Sequence, residues 1–162
     1  TRNISINNLE KKIRIVPIPL TNKENVFQDM LEAKFVEGGA LNSFGEKFNY
    51  EGKKFKPLMK YSLFGTTMNY LVKNSILEIP DYIKIDVDGI EHLILEGGNE
   101  FLRDKKIKSM SIEINDNFKE QCEKVSDLMN EYEFKILHKK HNEELILKKG
   151  KSSKTYNYIY IR

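Results

Sequence analysis

The stretch Tyr82-Ile83-Lys84-Ile85-Asp86-Val87, near the middle of the chain, narrows most what this protein can fold into. Ile83, Ile85 and Val87 alternate with Lys84, Asp86 and Asp88. Successive side chains of a strand point to opposite faces, so residues 82–87 predict a strand with one apolar and one charged face. Gly89 breaks it, and Ile90, Leu93 and Ile94 follow at helical spacing with Glu91 in the first turn. A strand that feeds a helix through a tight acidic turn is half of a β-α-β unit. Ligands of such sheets sit beyond the carboxyl ends of the strands, which is where the chemistry is expected.

A second strand, 109–115 (SMSIEIN), repeats the pattern, with Ser109, Ser111, Glu113 and Asn115 alternating against Met110, Ile112 and Ile114. The segment between the two strands has the length of one right-handed crossover and carries a predicted helix over about 90–103. Adjacent parallel strands would put both polar rows on one side, with Lys84 in reach of Glu113 and Asp86 near the open end. Parallel strands usually read as continuous apolar runs, and buried charge is costly unless paired. The polar row is therefore either a satisfied network or a site. Lys84 and Glu113 suit an ion pair under a helix as well as they suit a site, whereas Asp86, at the strand's carboxyl end, favours function. Asp88 and Glu91 lie where the helix dipole favours acids in any case.

Around this centre, β-branched residues over 13–20 (IRIVPIPL) predict a strand that ends at Pro17 and Pro19. Residues 22–61 hold Gly38-Gly39, Gly45, Gly52, Pro57 and scattered aromatics, and read as an irregular insertion of short strands and turns, either a substrate-facing loop or an edge hairpin. A helix is predicted over 66–77 with Thr66 or Thr67 as its cap, and another over 118–131 with Asn117 as its cap. Strands follow at 134–139, 144–148 and 156–161, with a Gly/Ser/Lys loop at 149–154. The order of elements points to one α/β domain over 1–162 with an antiparallel edge.

The 162 residues suffice for a single core, and no apolar run approaches the roughly 18 residues that cross a bilayer. The net charge of +3 is spread as lysines without a basic stripe interleaved with aromatics, which argues against nucleic acid as a partner. A lone cysteine, Cys122, allows no intrachain disulfide and fits a reducing, cytoplasmic setting. His92, His138 and His141 lack metal-ligand spacing and read as surface residues.

The run from Pro80 to Glu91, followed by Leu95-Glu96-Gly97-Gly98, closely resembles the signature of FkbM-type methyltransferases, whose pattern is Lys-x-Asp-x-Glu-Gly-x-Glu. Asp88 stands where that pattern has Glu. Asn3-Ile4-Ser5-Ile6-Asn7-Asn8 resembles the passage into the family's third strand, Thr67-Met68-Asn69 its Thr-Leu-Asp element, and Ser111-Ile112-Glu113-Ile114 its fifth strand. The resemblance implies a Rossmann-like class I methyltransferase sheet, parallel with an antiparallel C-terminal edge, and S-adenosylmethionine as cofactor. It implies transfer of methyl to a hydroxyl of a small-molecule or glycan acceptor. The family's glycine-rich turn after the first strand has no counterpart here, so the resemblance implies a domain truncated at its N-terminus.

By the same resemblance the end of the fourth strand lies beside the transferable methyl, with Asp86 and Asp88 as cofactor-binding residues. Asp86, Glu113 and Lys84 are then the expected catalytic residues. Asp86 would act as general base, or would ligate a divalent cation with help from Asp88, Glu113, Asn115 or Asp116. Two rivals remain open. Asp86-Val87-Asp88-Gly89 superficially resembles the Asp-x-Asp-Gly of haloacid-dehalogenase-like phosphohydrolases, with Asp86 as nucleophile and Asp88 as acid. The chain also suits a non-catalytic α/β domain. The acceptor and the oligomeric state are not legible.

Overall fold

The computed structural model describes residues 2–34, 42–141 and 154–162. In chain order its elements are α1 (Arg2–Ile6), β1 (Val26–Glu32), β2 (Asn42–Phe44), β3 (Met59–Gly65), α2 (Met68–Lys73), β4 (Tyr82–Ile85), α3 (Glu91–Glu96), a 3₁₀ turn (Phe101–Arg103), β5 (Ser109–Asn115), α4 (Lys119–Glu131), β6 (Lys135–His141) and β7 (Thr155–Ile161). They form a four-stranded sheet of order β4-β5-β7-β6 and a three-stranded sheet of order β2-β1-β3.

In the larger sheet β4 and β5 are parallel, with Ile83 opposite Met110, Lys84 opposite Ser111 and Ile85 opposite Ile112. The expected adjacency of these strands is therefore observed, although β4 itself ends at Ile85. Strand β7 runs antiparallel between β5 and β6, and its register sets Tyr156, Tyr158 and Tyr160 opposite Ile114, Ile112 and Met110. The three tyrosines thus share the apolar face, as their alternation predicts. That face is the core. Met110, Ile112 and Ile114 are buried there with Ile94 and Leu95 of α3 and Val125 and Met129 of α4. Removing these side chains from water is the main driving force for docking the two helices. The opposite face keeps the polar row of β4 and β5, and Tyr82 and Lys84 are exposed on it.

Several elements differ from expectation. The short strands expected in 22–61 form, and what differs is that they join β3 in a sheet of their own: β1 pairs antiparallel with both β2 and β3, the latter over seven residue pairs from Val26–Gly65 to Glu32–Met59. The run Val26-Phe27-Gln28-Asp29-Met30-Leu31-Glu32 does not alternate strictly and carries weak strand formers, so its pairing comes from tertiary context. Residues 13–20 form no strand beyond a single bridge from Leu20 to Thr66. Pro17 and Pro19 supply no N–H to a ladder, and Ile13 and Ile15 are exposed. The helix expected over 90–103 stops at Glu96, where the Gly97-Gly98 pair turns the chain before the 3₁₀ segment. Thr67 caps α2 by accepting the Tyr70 N–H at 3.0 Å. Asn117 does not cap α4: its own N–H donates to Asn115 Oδ1, and Phe118 holds the cap position without a side-chain bond. The strand expected at 144–148 and most of the loop at 149–154 lie outside the described residues. Among the described residues no helix is long and apolar enough to cross a membrane.

Gly97 packs close against the backbone of Thr21. A Cβ there would overlap the carbonyl oxygen of Thr21, which is backbone and cannot rotate away. Gly97→Ala is therefore expected to destabilise the fold by about 1–3 kcal/mol, measured by urea unfolding, despite the better helix propensity of alanine.

Candidate active site

The carboxyl end of β4 and that of β5 meet on the uncovered face of the sheet. Extending the parallel register one step beyond Ile85–Ile112 brings Asp86 alongside Glu113. Burial pushes the Glu113 carboxyl up from its ordinary range, and the neighbouring Asp86 pushes in the same direction. Two neighbouring carboxyls do not both ionise cheaply. Asp88 adds a further negative charge nearby, against which Lys84 acts.

The expected Lys84–Glu113 ion pair is not what forms. Lys84 Nζ binds Asp86 Oδ2 at 2.5 Å, with both side chains substantially in solvent. The reason is geometric: Lys84 and Asp86 are alternate residues leaving the same face of one strand, and the exposed lysine reaches the nearer carboxylate. Such an exposed pair contributes little to stability. The structure thus brings Asp86, Glu113 and Lys84 together, with Lys84 attached to Asp86.

Asp88 and Gly89 form the turn. Asp88 Oδ2 accepts the N–H of Asn42 at 3.0 Å, which ties the turn to the smaller sheet. Gly89 has φ +108°, and a Cβ there would lie 2.9 Å from the Asn49 oxygen and 3.1 Å from Tyr50 Cα. Both the backbone conformation and the close approach of residues 49–50 require glycine. Tyr50 lines a small cleft behind the turn with Val87, Gly89, Glu91, Glu113, Asn115, Gln121 and Thr155. A wider depression of about 440 Å³ lies between α2 and the 3₁₀ turn, lined by Asn69, Val72, Lys73, Ile79, Glu100 and Arg103 among others. It contains none of the carboxyls at the strand ends. The polar cleft is the chemically better candidate despite its size.

Glu91 is the residue that sequence reasoning undervalued. It is 1% exposed, in the first turn of α3. Gln121 Nε2 of α4 donates to Glu91 Oε2 at 2.5 Å. Burial pushes its pKa up to about 8, although the Gln121 amide pulls the other way. A glutamate in a first turn looks ordinary because the dipole alone accounts for it; only the neighbouring Gln121, thirty residues away, marks it as buried. His92 also departs from the surface reading. It is 3% exposed and packed between Phe48, at 6.5 Å between ring centroids, and Phe118, at 6.0 Å. Phe48 and Phe118 come from distant segments, so their joint packing on the imidazole was not readable from spacing.

The metal expectation finds no support. Among the described residues no group of three or more His, Cys, Asp or Glu side chains is arranged to hold a metal ion. Asp116 is engaged elsewhere, accepting from Lys139 Nζ at 2.5 Å and from the Tyr158 hydroxyl at 2.6 Å. Asn115 is buried, and its side chain accepts the Asn117 N–H.

Because the folded-state pKa of Glu91 is raised, the folded chain binds more protons than the unfolded one between about pH 4.5 and 8. The stability this provides is fully present below the ordinary glutamate pKa and is lost as pH rises through about 8. Its full extent is on the order of 5 kcal/mol, since each pKa unit corresponds to about 1.4 kcal/mol. Urea unfolding from pH 5 to 8.5 should therefore show the wild-type chain losing stability relative to Glu91→Gln, whose side chain does not titrate. Parallel pH profiles for the two would contradict the assignment.

The model of the methyltransferase FkbM domain family matches residues 3–136. Neither a curated protein nor a solved structure matches the chain. The matched region contains every carboxyl of the strand-end cluster and the turn that follows β4. The haloacid-dehalogenase-like reading gains nothing from these comparisons. The chain belongs to the FkbM methyltransferase domain family.

Proposed function

We propose that this protein is an S-adenosylmethionine-dependent O-methyltransferase that acts on a hydroxyl of a small-molecule or glycan acceptor, with Asp86 as the base. The observation that carries the reading is the meeting of Asp86 and Glu113 at the carboxyl ends of two adjacent parallel strands. On this reading β4, β5, β7 and β6 are one side of a Rossmann-like class I sheet, for which the order and the antiparallel β7 are suitable. A reducing, cytoplasmic setting goes with it.

The family implies S-adenosylmethionine, and the side chains at the strand ends suit it. Asp86 and Asp88 make this edge acidic, which matches the positive charge of a sulfonium and of an α-ammonium group. Asp86 and Asp88 would hold the cofactor there. When bound, S-adenosylmethionine supplies an electrophilic methyl group. The acceptor oxygen must lose its proton as it becomes methylated, and Asp86 would take it. Lys84 binds Asp86 at 2.5 Å, and Glu113 lies near it. The segment 42–50 that closes on the turn through Asn42 and Tyr50 would contribute to acceptor choice.

The test is methyl transfer from isotopically labelled S-adenosylmethionine, paired with calorimetric binding. Asp86→Asn is expected to retain most cofactor affinity and to lower turnover on the order of 100-fold. Unchanged turnover in Asp86→Asn would remove Asp86 from the role of base.

A further inference from the structure

We propose that this chain forms a two-fold dimer in solution by antiparallel pairing of β3 with the β3 of a second copy, which joins the two smaller sheets into one. A sheet edge presents a row of N–H and C=O groups to any strand that can align with it, and stable monomers blunt such edges. Among the described residues the edge strands are β4 and β6 of the larger sheet and β2 and β3 of the smaller one. Three of them are blunted. Strand β4 has four residues and β2 has three, while β6 carries Lys135, Lys139 and Lys140 and a register shift between Ile136 and His138. Strand β3 has none of these devices. It is seven residues long, contains no proline and keeps an unbroken register against β1 on its inner side. Met59, Lys60, Tyr61, Ser62 and Phe64 are exposed along it.

The residues of β3 complement a second copy of themselves. Its one charged residue, Lys60, pairs with Asp29 of β1 at 2.9 Å, so the edge carries no unbalanced charge. With the two-fold axis at Ser62, the middle of the strand, all seven residues find a partner: Met59 with Gly65, Lys60 with Phe64, Tyr61 with Leu63, and Ser62 with its own counterpart. No like charges meet. The two lysines lie on either side of the axis, each beside the Phe64 ring of the other copy, where a cation is attracted by the aromatic face. That ring already packs edge to face on Phe27 at 5.5 Å, and Phe27 itself is 74% exposed. On the other face Tyr61 meets Leu63 as an aromatic–aliphatic cross-strand pair. A different protein would have to bring this pattern independently, whereas a second copy brings it by symmetry.

The experiment is sedimentation equilibrium of the full 162-residue chain at submillimolar concentration, where the wild type is expected as a dimer. Ser62→Lys sets two ammonium groups opposite each other at the axis and should raise the dimer dissociation constant about tenfold or more. Within one copy the introduced lysine faces Asp29, the register partner of position 62 on β1, so the monomer keeps its fold. Ser62→Glu should weaken the dimer likewise, and an equimolar mixture of the two variants should restore it, because lysine then meets glutamate. A measurement on the wild type needs no variant: in mixed isotope-labelled and unlabelled chains, filtered Overhauser contacts should link the Tyr61 ring to the Leu63 methyls of the other copy. A monomer at every concentration would overturn the proposal and leave the edge to a different protein. A dimer indifferent to Ser62→Lys, one that the mixture fails to restore, or one without the Tyr61–Leu63 contact would place the interface elsewhere and overturn it as well. None of these readouts involves methyl transfer, so their outcome is independent of the role of Asp86.

Discussion

The parallel pairing of β4 with β5 is the interaction on which the rest of the arrangement depends. One register, Ile83 with Met110 and Ile85 with Ile112, sends the apolar side chains of both strands to the helical layer. The same register leaves Lys84 beside Ser111 and carries Asp86 to Glu113. A slip of one residue would turn each isoleucine out and each charge in, at a cost no local rearrangement could offset. The hydrophobic core and the acidic pair are therefore two consequences of one constraint. Strand β7 reinforces it from the other side of β5, where seven antiparallel pairs place three tyrosines over the same apolar layer.

What β4 begins, the turn after it completes. The ladder ends at Ile85, so Asp86 and Asp88 lie on backbone without sheet hydrogen bonds to define it. Two contacts take over: Gly89 against the 49–50 backbone and Asp88 on the Asn42 amide. One reaches the segment between β2 and β3 and the other the start of β2. The two sheets thereby meet at the acids.

Much of this was legible in the residues because strand and helix periods are local signals. The alternation in 109–115 specified β5 to the residue, and Thr67 announced α2 as its cap. The shared face of Asp86 and Glu113 followed from two matched alternations and a crossover-length connection. Other features depend on partners distant in sequence and left no local trace. Strand β1 forms from Gln, Asp, Met and Glu because β3 and β2 flank it. Lys84 prefers the acid two residues away to the one across the sheet, a choice made by exposure. Glu91 and His92 are buried because α4 and the 48–52 segment close over them, as the contacts of Gln121, Phe118 and Phe48 make plain.

Membership of the FkbM methyltransferase domain family and an acidic pair at the strand ends point to the same place on the molecule. The most direct test of that convergence is a map of backbone amide shifts on adding millimolar S-adenosylmethionine, a concentration at which weak binding registers as clearly as tight binding. The account predicts that the largest shifts fall on Asp86, Val87, Asp88 and Glu113. Shifts centred instead on the depression between α2 and the 3₁₀ turn, at Asn69, Glu100 and Arg103, would contradict it.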